Sequence, residues 1–466
     1  MIINRLLLFL FIASTCLSFP LQVFTGEPNI PMVSYLLFFL LILNKIIFRK
    51  EKLYFQHKQT LISWFVYLYC FYVILSSIII YFLDRGAMDL ITSVYTFVAP
   101  AIVFWYFTNY ATTNEIKFVL FVVAFMGLAV GMYMVTENYF KLGRGHVFDY
   151  SRLAYDYISY RAGGFGDEAT GAYGRIDNVK SFGPLEHASI SAAWLAFSYY
   201  AVISWVNLNS VFKKYFILLI FTSLIMLTLN FQTIIAFLII LLLFETYRIF
   251  FVTNLNGFLV RILLFIFFII SCYFIYKLSV PSEIDYSKNR IGLIAESLGY
   301  LYERQIGVFL LGFTDPSSIT VREYENVFEL LILQFNNYVD FYRENKILLL
   351  TGVGFGKYSF GSGSDTGIYF TLSSMGILMF VTIFLSLIIF IIISYRKILI
   401  EEIIMIKNNL TNRNDTNLLK FAISIILFTL ITELHYSIWY SKGVLPIVFF
   451  SLSIVHISII KRKILK

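Results

Sequence analysis

The residues from 212 to 250 read FKKYFILLIFTSLIMLTLNFQTIIAFLIILLLFETYRIF, an apolar run interrupted in its middle by Asn230 and Gln232. As one helix this stretch would reach roughly 58 Å at 1.5 Å per residue. That is nearly twice the hydrocarbon thickness of a bilayer, about 30 Å. Two helices, 212–229 and 231–250, joined by a tight turn fit a membrane; one does not. The choice governs everything downstream, because removing one crossing reverses the side on which every later connection emerges.

Working outward in both directions, the same criterion of about 20 apolar residues per crossing marks further segments. Before the central pair lie 2–22, 30–48, 60–83, 88–109, 115–136 and 186–206. After it come 258–277, 366–394, 419–436 and 443–460. The expected fold class is all-α, a polytopic transmembrane bundle of about twelve spans. The organisation follows as 1–136 (spans one to five), 137–185 (a first long polar stretch), 186–277 (spans six to nine), 278–364 (a second) and 365–466 (the last three spans). The apolar start, Met1 to Phe19, has one early cation, Arg5, and no small-x-small cleavage site, so it is expected as a retained first span.

Composition agrees. Hydrophobic residues make up 59% of the chain and charged residues only 14%, where a soluble domain carries about a quarter. Mean hydropathy is +0.79. The net charge of +8 does not form a nucleic-acid face, because the cations fall between apolar segments. Cys16, Cys70 and Cys272 lie in apolar runs with neither metal-ligand nor disulfide spacing.

The cations also orient the chain. With the N-terminus cytoplasmic, inner connections carry Lys45, Arg49, Lys50, Lys52, Lys58, Lys117, Lys213, Lys214, Arg248, Arg261, Arg396, Lys397, Lys407, Arg413 and Lys420, and the tail adds Lys461, Arg462, Lys463 and Lys466. The short outer connections carry only Arg85 and Lys442. This is the asymmetry of the positive-inside rule. Both termini are expected inside and both long polar stretches outside.

The outer stretches carry the candidate chemistry. The first combines arginines (Arg144, Arg152, Arg161, Arg175) with tyrosines and glycines. Tyrosine rings there could stack on sugars, or simply sit at the headgroup level. It ends in Phe182-Gly183-Pro184-Leu185-Glu186-His187, which enters the sixth span; Pro184 suits a helix start and Glu186 suits its dipole. His187 reads equally as a hydrogen-bonding group and as a catalyst. The second stretch is expected to hold amphipathic helices, one over 285–311 with Ile291, Ile294, Leu298 and Leu301 on a face, another over 322–350 with Val327, Leu330, Leu331 and Phe335. Arg322 opens the latter, facing either an anionic ligand or its neighbours Glu323 and Glu325. Gly352-Val353-Gly354-Phe355-Gly356-Lys357 then forms a close-approach turn that lacks P-loop spacing but could offer backbone N–H groups to an anion. Asp365 precedes the tenth span, as a helix cap or a catalytic carboxylate. Ionisable residues within spans are few, with Glu433 and His435 near an outer end, which argues against proton-driven transport.

Three of these features together resemble the bacterial O-antigen polymerase and ligase superfamily: Gly183-Pro184-Leu185-Glu186-His187 entering a helix, Arg322 opening an amphipathic helix, and Gly352-Val353-Gly354-Phe355-Gly356 followed by Ser364-Asp365 and Ser373-Ser374-Met375-Gly376-Ile377. The likeness extends in span count and loop placement over essentially the whole chain. It implies a glycosyltransferase of the inner membrane with its site facing the periplasm. One undecaprenyl-diphosphate-linked oligosaccharide donates its glycan to the non-reducing end of another. Ligases of this superfamily typically carry a histidine near the start of the helix after the glycine-rich turn; Asp365 stands in that region here, which favours a polymerase. The resemblance implies Arg175, Arg290, Arg322 and Lys357 as groups for the diphosphate, and Asp365, His187 and, in reserve, Glu186 as proton acceptors. It implies no metal or cofactor, and leaves open a chain-length regulator as partner. A ligase and a lipid-linked oligosaccharide flippase are the alternatives.

Overall fold

The computed structural model describes residues 2–26, 31–49, 60–84, 94–139, 183–185, 188–205, 211–228, 230–251, 346–352, 367–407, 414–433, 441 and 443–464, with single positions between 332 and 343. Among the described residues the structure is helical and contains no strand. The helices are α1 Ile2–Cys16, α2 Ser18–Thr25, α3 Pro31–Arg49, α4 Leu61–Asp84, α5 Ala101–Asn109, α6 Thr113–Tyr139, α7 Ala188–Trp205, α8 Val211–Leu227, α9 Phe231–Phe251, α10 Lys346–Thr351, α11 Gly367–Lys407, α12 Asn414–Thr432 and α13 Leu445–Ile464. Three contain stretches long and apolar enough to cross a membrane, Leu61–Ile79, Thr113–Thr136 and Ser374–Glu401, and α1 with α2 makes a fourth if the bent pair is one span. The expected span 258–277 and the amphipathic helix over 285–311 lie outside the described residues. Within 322–350 the positions described at 332, 335, 336, 339, 340 and 343 are all helical.

The central apolar run is split. Asn230 caps α9, its Oδ1 accepting from Thr233 N at 3.1 Å and from Thr233 Oγ1 at 2.9 Å, the usual use of an N-cap side chain at the third helical position. The two helices double back. Phe221 of α8 and Phe237 of α9 both meet the Tyr199 ring, with centroids 5.9 and 5.2 Å away. A continuous helix would hold these two phenylalanines roughly 24 Å apart. The polar pair that interrupts the run is therefore a turn.

Two expectations need correction. The first segment is not one straight helix, because α1 and α2 meet at 74°. Pro20 lies in the first turn of α2, where its missing N–H is harmless. In an unbroken helix its ring would collide with the carbonyl of Cys16, the residue at which α1 ends. The tenth segment also differs: α11 extends to Lys407 and is interrupted at Gly376, whose φ of 73° and ψ of 164° are non-helical.

Many outward side chains are large and apolar, among them Phe82, Phe71, Phe125, Leu385 and Ile392. Apolar exposure on this scale suits hydrocarbon rather than water. Inside, α6 and α7 form a close seam. Gly127 and Gly131 stand four residues apart, so Ser198 and Leu195 approach their backbone, and Ser198 Oγ donates to Ala124 O at 2.7 Å. Small residues allow this approach where lipid provides no hydrophobic drive between helices.

At the end of the bundle where α1 and α6 begin, a polar cluster ties four elements together. Lys45 Nζ donates to Glu115 Oε2 at 2.9 Å and to Tyr110 O at 3.0 Å. Asn4 Nδ2 donates to Glu115 Oε1 at 3.1 Å, and Asn44 donates to Asn4. Thr112 N donates to Glu115 Oε2 at 2.9 Å, a capping arrangement for α6. Lys45 is thus a buried ion-pair partner rather than the loop cation its sequence position suggests. Nearby on α13, His456 Nδ1 shares a 2.7 Å hydrogen bond with Thr60 Oγ1 just ahead of α4.

Candidate functional site

The opposite end of the bundle is built around the end of α12. Thr432 O accepts a hydrogen bond from Gln232 Nε2 at the start of α9, and Glu433 Oε1 accepts one from Thr371 Oγ1 in the first part of α11. Three helix ends are thereby gathered within one polar patch. Glu433 is buried. With Thr371, Met375, Ile383, Phe384, Leu387, Thr429 and Leu430 it lines a cleft between α11 and α12. The Thr429 hydroxyl is committed to its own helix, donating to Ile425 O at 2.8 Å. The Glu433 carboxylate with its Thr371 donor is therefore the main polar feature of an apolar wall. Gln232 Oε1 in the same patch, and the buried Ser374 Oγ three residues after Thr371, have no hydrogen-bond partner among the described residues.

The break in α11 is held by a second glycine. Gly352 closes α10, its N–H donating to Leu348 O at 2.7 Å, with φ of 75°. A Cβ on Gly352 would lie 2.6 Å from Met375 C, and one on Gly376 would lie 2.6 Å from Leu350 C. The two glycines thus pack main chain against main chain, each in a positive-φ conformation that other residues adopt at a cost. This contact fastens the first glycine of the 352–356 turn to the point where α11 is interrupted. Non-helical backbone at membrane depth persists only where protein buries it or where it lines a cavity.

The segment Gly183-Pro184-Leu185 is strapped to the same end. Gly183 has φ of 71°, and a Cβ there would meet Ser191 Oγ at 2.7 Å and Met134 Cγ at 3.1 Å. Leu185 is buried. That α7 begins where α12 finishes follows from two contacts: Phe197 packs on Phe428 at 5.6 Å, and a Cβ on Gly443, in the connection after α12, would lie 3.6 Å from Trp194 Nε1.

The candidates Asp365, His187, Glu186, Arg322, Arg175, Arg290 and Lys357, and also His435, lie outside the described residues. What the structure describes are the residues that bracket them in sequence: buried Leu185 and the first residue of α7 around Glu186-His187, and Gly352 and Gly376, in contact with one another, around Lys357 and Asp365. The set Glu433, Thr371 and Gln232 was not among the sequence candidates. Its signal was present, since polar side chains recur at the expected outer ends of spans, but nothing in spacing joins residues 232, 371 and 433.

No protein-family model matches the chain, and no curated protein matches it.

Proposed function

We propose that this chain is a polymerase of lipid-linked oligosaccharide repeats, of the O-antigen polymerase kind, in the bacterial inner membrane. In this reading it crosses the bilayer about twelve times, with both termini cytoplasmic and its active site on the periplasmic side. The glycan of one undecaprenyl-diphosphate-linked oligosaccharide passes to a hydroxyl at the non-reducing end of a second. The observation that carries the proposal is the contact of Gly352, the first glycine of the motif that carries the resemblance, with Gly376 at the break in a discontinuous helix beside a polar patch.

The chemistry requires two things. As the glycosidic C–O bond breaks, its electron pair leaves with the diphosphate, whose negative charge grows. Arg175, Arg290 and Arg322 can clamp that charge through bidentate, charge-assisted bonds, assisted by Lys357. The attacking hydroxyl must lose its proton as the new C–O bond forms; Asp365 and His187 are the acceptors proposed, with Glu186 in reserve. The arginines provide the positive charge, so neither metal nor cofactor is invoked. A chain-length regulator is a natural partner for such an enzyme.

A second reading, a lipid-linked oligosaccharide flippase, is favoured by one feature. Interrupted helices with polar groups at the break also build transporter sites. Reconstitution separates the two. Wild-type protein in vesicles supplied with lipid-linked repeats should yield a ladder of lipid-linked polymer, and Arg322→Ala should abolish it while the protein still accumulates in the membrane. Movement of repeats across the vesicle without any ladder would replace polymerase by flippase. A glycan found on lipid A-core would indicate ligase. A normal ladder from the Arg322→Ala variant would remove that residue from the site.

A further inference from the structure

We infer that the end of the bundle bearing the Lys45 cluster holds an anionic phospholipid, its phosphate between Arg5 and Lys117 and an acyl chain along the outer stripe of α6. The site is independent of the polymerase reading and lies at the opposite end from the Gln232 and Thr432 patch.

Charge is the first argument. Asn4 near the start of α1 bonds Glu115 near the start of α6, so both helices set out from this end. The Arg5 guanidinium lies over the Phe118 ring, 5.7 Å from its centroid, and Lys117 is the preceding residue. Glu115, two residues before Lys117, is already engaged through both oxygens by Lys45, Asn4 and the Thr112 amide. Among the described residues no carboxylate pairs with Arg5 or Lys117. Two partly buried cations thus stand uncompensated at the head of two adjacent helices. A guanidinium resting on a ring keeps its charge and its fork of N–H donors, which suits a phosphodiester.

The surface below them supplies the second argument. Phe121, Phe125, Leu128 and Met132 recur at helical spacing on α6, and all four are exposed. Lys117 and Phe118 stand four and three residues before Phe121, on the turn that heads this stripe. From Phe121 to Met132 the stripe runs about 16 Å, the hydrocarbon depth of one leaflet, half of about 30 Å. Trp205, the last residue of α7, sets its exposed ring 5.3 Å from that of Phe121, as interfacial tryptophans do at headgroup level. A soluble anion would use the cations and leave the stripe idle. A phospholipid uses both, and basic sites between membrane helices are where anionic headgroups bind.

The test takes the full-length protein in mild detergent and counts bound lipid by native mass spectrometry. The probes are phosphatidylglycerol and phosphatidylcholine with identical acyl chains. One cation near an anionic lipid is worth about fivefold in affinity, so the pair should give phosphatidylglycerol a preference of about twenty-five-fold. Arg5→Gln with Lys117→Gln should nearly abolish that preference. Lys213→Gln, which removes an exposed cation at the start of α8, should keep it. Equal affinity of the wild-type protein for the two lipids would overturn the inference, whether or not the double variant folds. An equal loss in Lys213→Gln would overturn it by making the attraction diffuse. Displacement of phosphatidylglycerol by an equal concentration of inorganic phosphate would do so by showing that the stripe contributes nothing. Tighter binding of undecaprenyl phosphate than of phosphatidylglycerol, lost in the double variant, would overturn it by making the site one for a polyprenyl carrier.

Discussion

The four glycines Gly26, Gly127, Gly352 and Gly376 separate two costs that are normally confounded, and alanine at each has a calculable outcome. Gly26 caps α2 with φ of 71°, but nothing lies within 4 Å of the Cβ it lacks. Gly26→Ala therefore incurs only the left-handed conformational cost, about 1–2 kcal/mol. Gly127 stands inside α6 with no positive φ, but its Cβ would lie 2.7 Å from Trp194 O and 2.8 Å from Ser198 Oγ. Gly127→Ala incurs the overpacking cost alone, about 1–3 kcal/mol. Gly376 combines both. Its φ of 73° with ψ of 164° belongs to a region nearly reserved for glycine, costing about 1–3 kcal/mol. Its Cβ would also press on the main chain at Leu350 and Gly352, which cannot rotate away as a side chain can. The sum is about 3 kcal/mol or more. The excess over Gly26→Ala, about 2 kcal/mol, is roughly a thirtyfold change in the unfolding equilibrium. The assay is a denaturing-detergent titration of purified protein, followed by the fluorescence of its tryptophans, of which Trp194 is fully buried. Because Gly352 and Gly376 occupy one contact, Gly352→Ala and Gly376→Ala should be less than additive in the double variant. A Gly376→Ala protein no less stable than Gly26→Ala, or strict additivity of the pair, would refute the close-approach argument.

Two further outcomes are expected. Lys45→Met leaves Glu115 as an uncompensated buried carboxylate and should destabilise by about 3–5 kcal/mol, whereas Lys45→Met with Glu115→Gln should recover most of that loss; the same titration reads both, and an unrecovered double variant would mean that the pair does more than satisfy itself. Cysteines introduced at positions 160 and 330 should both be reached by a membrane-impermeant thiol reagent from the periplasmic side, and labelling of the two from opposite sides would end the polymerase proposal.

The sequence made the helical character and the central hairpin legible because both depend on local composition. Asn230 was visible as an interruption and proved to be the cap of α9. The kink at the first segment has its local cause in Pro20, but an apolar pattern that runs unbroken on both sides of it reads as one span. Gly376 stands within the motif Ser373-Ser374-Met375-Gly376-Ile377 without any local sign that α11 breaks there, since its close approach exists only in company with Gly352, twenty-four residues earlier. Lys45 misled for the same reason. At the end of a span a lysine looks like a topology signal, and only the arrival of Glu115, Tyr110 and Asn4 from three other elements turns it into a buried partner. Long-range coincidence of this kind leaves no periodicity to read. The Glu433, Thr371 and Gln232 patch escaped on identical grounds.

The two polar ends of the bundle bear on one another through chain direction. At one end meet the beginnings of α1 and α6 with the finish of α3 and the residue just after α5. At the other meet the beginnings of α9 and α11 with the finish of α12. A helix entered from one end must finish at the other, so α6, which starts at the Lys45 cluster, delivers Tyr139 to the end where Gly183 is strapped to Met134. Tyr139 and Gly183, the described residues on either side of the first polar stretch, accordingly lie at that end. The second returns there too, through α10, because Gly352 rests on the break in α11 a few residues from Thr371. Had the 212–250 run been a single crossing, Gln232 would lie mid-helix and could not reach the end of α12. The hydrogen bond from Gln232 to Thr432 thus puts the start of α9 and the finish of α12 at one end of the bundle by a route independent of the charge bias. A shared side is the arrangement that cations gathered around one diphosphate require.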